Sequence, residues 1–256
     1  MRAIKTKHST RSVRSSSNKT KPSSDKLILQ LINVCKIYQL GSQTIKALEC
    51  LDFSITKGEF VSVIGPSGSG KSTFLQVASM LAEPSRGKII LNGQDVTTYN
   101  EVERARLRNK EIGFIFQQFN LLPRTSAVDN ASLPLIYAGV GRAERERRAK
   151  EILIQLGLGD RLLNKPNELS GGQQQRVAIA RALINKPSVI FADEPTGNLD
   201  SKSGQEVEKI LQNLNAQGTT IILVTHEKRL AKMAERVIEL KDGKLVAERR
   251  PPYKGW

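Results

Sequence analysis

Gly65-Pro66-Ser67-Gly68-Ser69-Gly70-Lys71-Ser72 constrains this chain more than any other segment. It fits the spacing G-x-x-x-x-G-K-[ST] without a gap. A short apolar run, Glu59–Ile64, precedes it, and a helical pattern from about Lys71 to Leu81 follows. Glycines let successive backbone N–H groups turn inward around phosphate oxygens, and the helix N-terminus adds its dipole. Lys71 is expected to reach the β- and γ-phosphates and Ser72 to offer its hydroxyl to Mg²⁺, with Thr73 in the same first turn. A turn that used glycine only for shape would not require Lys-Ser at this register.

Val189-Ile190-Phe191-Ala192-Asp193-Glu194 reads as a buried strand ending in two acids, 122 residues after Lys71. In an open α/β sheet the C-terminal strand ends meet the loop that holds the phosphates. Asp193 is therefore a candidate for the Mg²⁺ shell, and Glu194 for orienting or deprotonating an attacking water. Two acids at a strand end are often merely solvated. Next to a phosphate loop they point to hydrolysis rather than binding alone.

The rest of the chain supports an α/β fold. Leu27–Tyr38 and Thr44–Ile55 read as strands around a Gly41-Ser42 turn, and Lys88–Leu91 as a further short strand before Asn92-Gly93. Residues from about 101 to 165 read as largely helical, with Arg142–Lys150 as a solvated face. Ser188–Ala192 and Thr219–Thr225 have the β-branched, apolar character of strands buried on both faces of a parallel sheet. Arg236–Glu248 reads as a hairpin around Asp242-Gly243.

Leu169-Ser170-Gly171-Gly172-Gln173-Gln174-Gln175-Arg176 opens a helix with Val177, Ala180 and Ile184 on one face and Ser170 as its N-cap. It is a second glycine-rich helix start, hence a second anion site. Here the sequence resembles the nucleotide-binding subunits of ATP-binding-cassette (ABC) transporters, over about residues 27 to 248. The resemblance implies a P-loop NTPase core with a mostly parallel sheet, an antiparallel β subdomain and an inserted α-helical signature subdomain at about 101–180. It implies that Tyr38 stacks on adenine, that Gln117 senses Mg²⁺ and the attacking water, that Asp200 lies in the loop crossing to a partner, and that His226 contacts the γ-phosphate. It further implies a dimer with a second ATPase subunit, expected to be a copy of the same chain. In that dimer Ser170, Gly171, Gly172 and Gln173 of one copy close on the ATP held by Gly65–Thr73 of the other.

The segments Phe119–Pro123 and Leu133–Val140, with Ala192–Asp200, look like the lipoprotein-release and macrolide-export subgroup of that family. The resemblance implies separate integral-membrane permease subunits and a peripheral place on the cytoplasmic face of the membrane. A related cell-division cassette, which uses similar motion for signalling, remains an alternative. No stretch approaches the ~18 consecutive apolar residues of a membrane-spanning helix, so another chain is expected to supply the membrane part.

Composition bears on two further points. The chain carries 40 Lys and Arg against 25 Asp and Glu, a net charge of +15. Such charge suits a soluble ABC ATPase acting on nucleic acid or ribosomes. However, Gly70 and Gly171 stand 101 residues apart with no heptad run between them, the compact transporter spacing, so no specific nucleic acid is expected. Residues 1–26 hold eight basic side chains and one acid, Asp25, among Ser and Thr. They read as a disordered basic tail without the apolar core of a secretory signal. A transit peptide and a solvated arm touching nucleic acid or an anionic membrane surface both fit its composition. Residues 249–256 read as a short C-terminal tail. Cys35 and Cys50, without metal or redox spacing, are expected to be unpaired, buried small hydrophobes in a reducing compartment.

Overall fold

The computed structural model describes residues 27–252. The basic tail lies outside the described residues, and so do the readings attached to it. Strands β1 (Leu27–Leu40) and β2 (Gln43–Thr56) form a long antiparallel hairpin. Its turn uses Gly41 at φ 58°, a conformation that costs glycine little. With β4 (Arg86–Leu91) and β5 (Gln94–Asp95) they make a four-stranded antiparallel sheet in the order β2-β1-β4-β5.

A second sheet has the order β10-β9-β3-β8-β7-β6. Its strands are β3 (Phe60–Ile64), β6 (Ile112–Ile115), β7 (Val189–Asp193), β8 (Ile221–Val224), β9 (Arg236–Lys241) and β10 (Lys244–Arg249). All its neighbours pair in parallel except the β9–β10 hairpin. Side chains alternate between its two faces, and both faces are dry. Val61, Val63, Phe191, Ile222 and Val224 join the antiparallel sheet and helix α1 (Lys71–Ala78) in one core. Phe60, Ile190, Ala192, Ile221 and Leu223 face the opposite way. There they meet α5 (Gly171–Leu183), α6 (Ser201–Ala216) and the short α7 (Lys228–Ala231). Burial on both faces explains why these strands read as continuous apolar runs.

The remaining helices are α2 (Glu101–Glu111), α3 (Ala127–Tyr137) and α4 (Arg142–Gln155). The last two pack on α5 through Val128, Ala131, Leu135, Leu153, Val177 and Ala180. Asn100 with Glu103, and Ser126 with Asp129, form capping boxes that start α2 and α3. The 101–180 stretch is not helical throughout, however. Ile112–Ile115 leaves α2 directly as β6 and pairs in parallel with β7, which puts the start of the Gln117 loop on the core sheet.

The cysteines also differ from expectation: Cys35 and Cys50 are disulfide-bonded. Cys35 is buried, whereas Cys50 is exposed at φ 48°. From its tip the hairpin starts in the register Leu40↔Gln43 through Ile37↔Lys46, which by itself would set Cys35 against Leu48. Irregularities on either side of Lys36 advance β2, giving Lys36↔Leu48 and then Val34↔Leu51, so Cys50 arrives opposite Cys35.

Two stability predictions follow from this packing. Phe191 is fully buried and stacks on Phe114 at 5.8 Å between ring centroids, and Phe114 in turn stacks on Phe116 at 5.3 Å. Phe191→Ala should cost about 3–5 kcal/mol in urea unfolding; a loss under 1 kcal/mol would deny this ring its place in the core. The disulfide closes a loop of 15 residues, which corresponds to about 3 kcal/mol from restriction of the unfolded chain. A thiol reductant should therefore lower the urea midpoint, and an unchanged midpoint would show that the bridge contributes nothing.

Candidate active site

The phosphate loop runs from the end of β3 to the start of α1 and leaves Pro66, Ser67, Gly68 and Ser72 exposed. Its glycines answer to identifiable neighbours. A Cβ on Gly65 would lie 2.2 Å from the Leu240 carbonyl oxygen, and one on Gly70 would lie 2.6 Å from that of Ala47. Gly70 is also the N-cap of α1 at φ 101°, with no side chain to cap the helix and no acid in its first turn. The leading amides of α1 therefore point out of the helix without a side-chain acceptor, a ready anion site. Lys71 folds back over the loop and donates from Nζ to the carbonyls of Gly65 at 2.8 Å and Pro66 at 2.9 Å.

A buttress that the sequence did not reveal supports this loop from below. The Gly243 amide donates to the Ser69 carbonyl at 3.0 Å, and the Gly243 carbonyl accepts from the Glu49 amide at 2.8 Å. Asp242-Gly243 was legible as a hairpin turn, but its contact with the loop depends on the distant β2.

Asp193 ends β7 and Glu194 follows it. The Glu194 amide continues the ladder by donating to Val224 at 2.9 Å, while its own φ of 43° turns the chain sharply. Burial first, and then the Glu194 charge, push the Asp193 carboxyl above the ordinary range; the Lys71 ammonium pulls the other way. The Glu194 carboxylate is held at both oxygens. Oε2 accepts from the buried Thr225 hydroxyl at 2.9 Å, and Oε1 accepts from the His226 amide at 2.8 Å. His226 Nδ1 lies 2.6 Å from the same Oε1, and its ring is otherwise exposed. Thr225 is a second residue the sequence reading missed; its neighbour's role came from resemblance, and nothing local marks the hydroxyl.

Gln117 is exposed just beyond β6, with its Nε2 lying against Gly197, where a Cβ would stand 2.8 Å away. Asn198 Nδ2 donates to the Gln117 carbonyl at 3.0 Å, so the loops after β6 and β7 are joined. Tyr38 is half-buried on β1 and its hydroxyl lies 3.5 Å from Gln76 Oε1 of α1; Lys36 Nζ sits 5.0 Å from its ring centre. The ring thus stands beside the helix that the phosphate loop opens.

The second glycine-rich start behaves differently. Ser170 caps α5 in a full capping box: its Oγ accepts from the Gln173 amide at 3.3 Å, and Gln173 Oε1 accepts from the Ser170 amide at 2.8 Å. Gly172 is buried, and a Cβ there would lie 2.8 Å from Ser203 Cβ and Oγ. Gly171 packs near Leu199. Asp200 is the N-cap of α6, accepting from the amides of Lys202 and Ser203 at 3.0 Å each and from the Ser203 hydroxyl at 2.7 Å. The Ser203 amide, then its hydroxyl, hold the Asp200 carboxyl below the usual range. Within one chain, then, β3, β7 and β8 gather the phosphate loop, Asp193, Glu194 and His226 at their C-terminal ends, while Ser170, Gly171, Gly172, Gln173 and Asp200 form a separate cluster at the starts of α5 and α6.

The chain is similar to known proteins along most of its length. The ABC transporter family profile matches residues 48–197. The chain is 50% identical over 219 residues to an uncharacterized ABC transporter ATP-binding protein, YknY of Bacillus subtilis, covering 86% of this chain and 95% of that one. It is 50% identical over 223 residues to the macrolide export ATP-binding/permease protein MacB of Bdellovibrio bacteriovorus, covering 87% of this chain but only 34% of that longer protein. The ATP-binding cassette MJ0796, solved as a dimer in a post-hydrolysis state bound to ADP and Pi, superposes with a TM-score of 0.80 at 45% identity, over 87% of this chain and 98% of that one. With the phosphate loop, its facing carboxylates and the capped glycine-rich helix all in place, this chain belongs to the ABC transporter family and is an ATP-binding, ATP-hydrolysing cassette.

Proposed function

We propose that two copies of this chain close around two ATP molecules and that hydrolysis drives a separate integral-membrane permease of the export or lipoprotein-release kind. Residues 27–248 would form the cassette, with about 101–180 as its helical part interrupted by β6. The assembly would sit at the cytoplasmic face of the membrane. The single observation carrying the catalytic reading is Glu194, held at both oxygens beside Asp193 at the strand ends where the phosphate loop begins. The dimer reading is supported by the dimeric form of the MJ0796 cassette, with the Ser170–Gln173 cluster opening α5 and the phosphate loop opening a different helix, α1.

Each residue then has a defined task. The free amides of α1, the loop glycines and Lys71 bind the β- and γ-phosphates, and Tyr38 stacks on adenine. Glu194 orients the attacking water and takes its proton while Thr225 and His226 fix the carboxylate. His226, with Nδ1 turned to Glu194, presents its other ring nitrogen toward the γ-phosphate. Ser170, Gly171, Gly172, Gln173 and Asp200 act on the partner's nucleotide. The donors Ser72 Oγ, Asp193 and Gln117 are all hard oxygens, one of them a carboxylate, which suits Mg²⁺ held jointly with substrate phosphates. That ion would neutralise charge developing on the phosphate oxygens.

The permease reading has its own support. Val102 and Ala105 of α2, with Tyr137 and Ala138 at the end of α3, line an open groove of about 840 Å³. Tyr137 is 80% exposed and Val102 59%, and Ile136, next to Tyr137 in α3, is exposed as well. An apolar surface of this kind suits a helical element of a membrane partner. Among the described residues no helix is long and apolar enough to cross a membrane.

Three measurements test the proposal. Glu194→Gln should preserve ATP binding while lowering kcat by about 10²- to 10⁴-fold, and size-exclusion chromatography should find an ATP-dependent dimer. Wild-type turnover would remove Glu194 from the mechanism, and a monomer at saturating ATP would remove the clamp. Lys71→Ala should weaken ATP binding by at least about tenfold; unaltered affinity in calorimetry would contradict its assignment. Co-purification with permeases encoded beside this chain should yield a complex whose ATPase rate depends on the partner, and indifference to all of them would exclude the transport role.

A further inference from the structure

Gln175 lies one turn inside α5, fully buried, and the function described above does not use it. Its Nε2 donates to the Pro195 carbonyl at 2.6 Å and to the Phe116 carbonyl at 3.3 Å. Pro195 is the residue after Glu194, and Phe116 is the residue before Gln117. One amide nitrogen thus holds the backbone beside the proposed base and beside the proposed water sensor, from the helix whose start carries the glycine-rich signature.

The chemistry at this point is specific. An amide nitrogen has two protons, and here two carbonyls converge on it. The opposite amide orientation would turn Oε1 toward two oxygens, so the two carbonyls fix which way the side chain points. Oε1 is buried without a partner. A side chain selected for packing alone would not leave a buried acceptor unmatched, whereas one kept for its two donors would. Neighbouring contacts agree. Arg181, further along α5, donates to the carbonyls of Asn120 and Phe119 in the same loop as Gln117, and Arg176 Nη1 donates to Glu206 Oε2 at 3.1 Å on α6. The signature helix therefore grips the loops after β6 and β7 from inside the protein.

We propose that Gln175 is a positioning residue for hydrolysis: through Pro195 and Phe116 it sets Glu194 and Gln117 in mutual register and ties both to the movement of α5. This rests on the roles given to Glu194 and Gln117 under the proposed function. When the start of α5 engages a nucleotide on a second copy, the amide carries the displacement to both loops at once. Nucleotide binding does not pass through it, because the phosphate loop and Tyr38 lie on other elements.

The experiment compares Gln175→Met and Gln175→Glu with the unsubstituted protein. Methionine keeps the shape and removes both donors. It should lower kcat about ten- to a hundredfold, as expected from misplacement of reacting groups on the ångström scale, with KM for ATP and nucleotide affinity little changed and the thermal midpoint lowered only by the few degrees that two unmatched carbonyls cost. Glutamate tests the donor directly. Facing two carbonyls in a buried site, its carboxyl should have a raised pKa, and only its protonated form can donate. Its kcat should approach the unsubstituted value near about pH 6 and fall steeply toward about pH 9, relative to the unsubstituted profile. A methionine variant with full kcat would overturn the proposal. So would a loss of kcat matched by equal losses of ATP affinity and thermal midpoint, or a glutamate profile parallel to the unsubstituted one. These readouts are independent of Glu194→Gln: if that variant alone turns over normally, the base is misassigned, whereas a pH-silent Gln175→Glu beside an inactive Glu194→Gln indicts only the positioning role.

Discussion

Parallel pairing of β3, β8 and β7 sets the register on which the site depends. Val63 stands opposite Val224, and Val224 opposite Asp193. The ladder continues past the strand ends, where the Thr225 amide donates to Val63 at 3.1 Å and the Glu194 amide to Val224 at 2.9 Å. The phosphate loop, the carboxylates and the Thr225-His226 pair therefore leave the sheet at one level. A slip of one residue in β8 would exchange the faces of Thr225 and His226 and strip Glu194 of its hydroxyl partner. Such a slip would also turn Ile222 and Val224 out of one core and Ile221 and Leu223 out of the other, so hydrophobic burial protects the chemistry.

With the strands fixed, the connecting turns can adopt backbone that is unfavourable on its own. Glu194 occupies the left-handed region, which costs a non-glycine residue on the order of 1–3 kcal/mol. It is retained there by its own amide, by the Gly197 amide donating to its carbonyl at 3.0 Å, and by the hydrogen bonds to its carboxylate. The phosphate loop is restrained in a similar way. Gly65 and Gly70 press against the Leu240 and Ala47 carbonyls, and Gly243 links Ser69 to Glu49. Both sheets thus contribute to the cradle, and a loop that looks autonomous in sequence is held by strands far from it.

That difference explains what the amino-acid sequence revealed. The phosphate loop, the acids ending β7 and the Ser170 cap were legible because each is a local pattern whose chemistry follows from residue type and spacing. The parallel strands were legible because burial on both faces leaves an unbroken apolar run. β6 was hidden because Ile112-Gly113-Phe114-Ile115 is four residues long, follows the charged α2 directly and becomes a strand only by pairing with β7. The Cys35–Cys50 bond was hidden because two irregularities on either side of Lys36 decide which residue of β2 faces Cys35. Gly243, Thr225 and Gln175 were hidden for one reason: each acts on a segment distant in sequence, through a contact that a linear pattern does not encode.

The two glycine-rich helix starts resemble each other in sequence and differ in what they leave free. α1 has no capping side chain, so its first amides are available to an anion. α5 is capped by Ser170, which uses the hydroxyl oxygen as acceptor for the Gln173 amide. A hydroxyl keeps its own proton while accepting, so the cap fixes the direction of Ser170 without exhausting it. In the proposed dimer that proton can be donated to a phosphate oxygen with no loss of the cap. The close fit of Gly172 against Ser203 adds that the glycine there is required by α6 of the same chain, whatever approaches from outside. The signature is thereby pre-formed within one chain, and closing the proposed dimer would require two rigid surfaces to meet rather than a loop to fold.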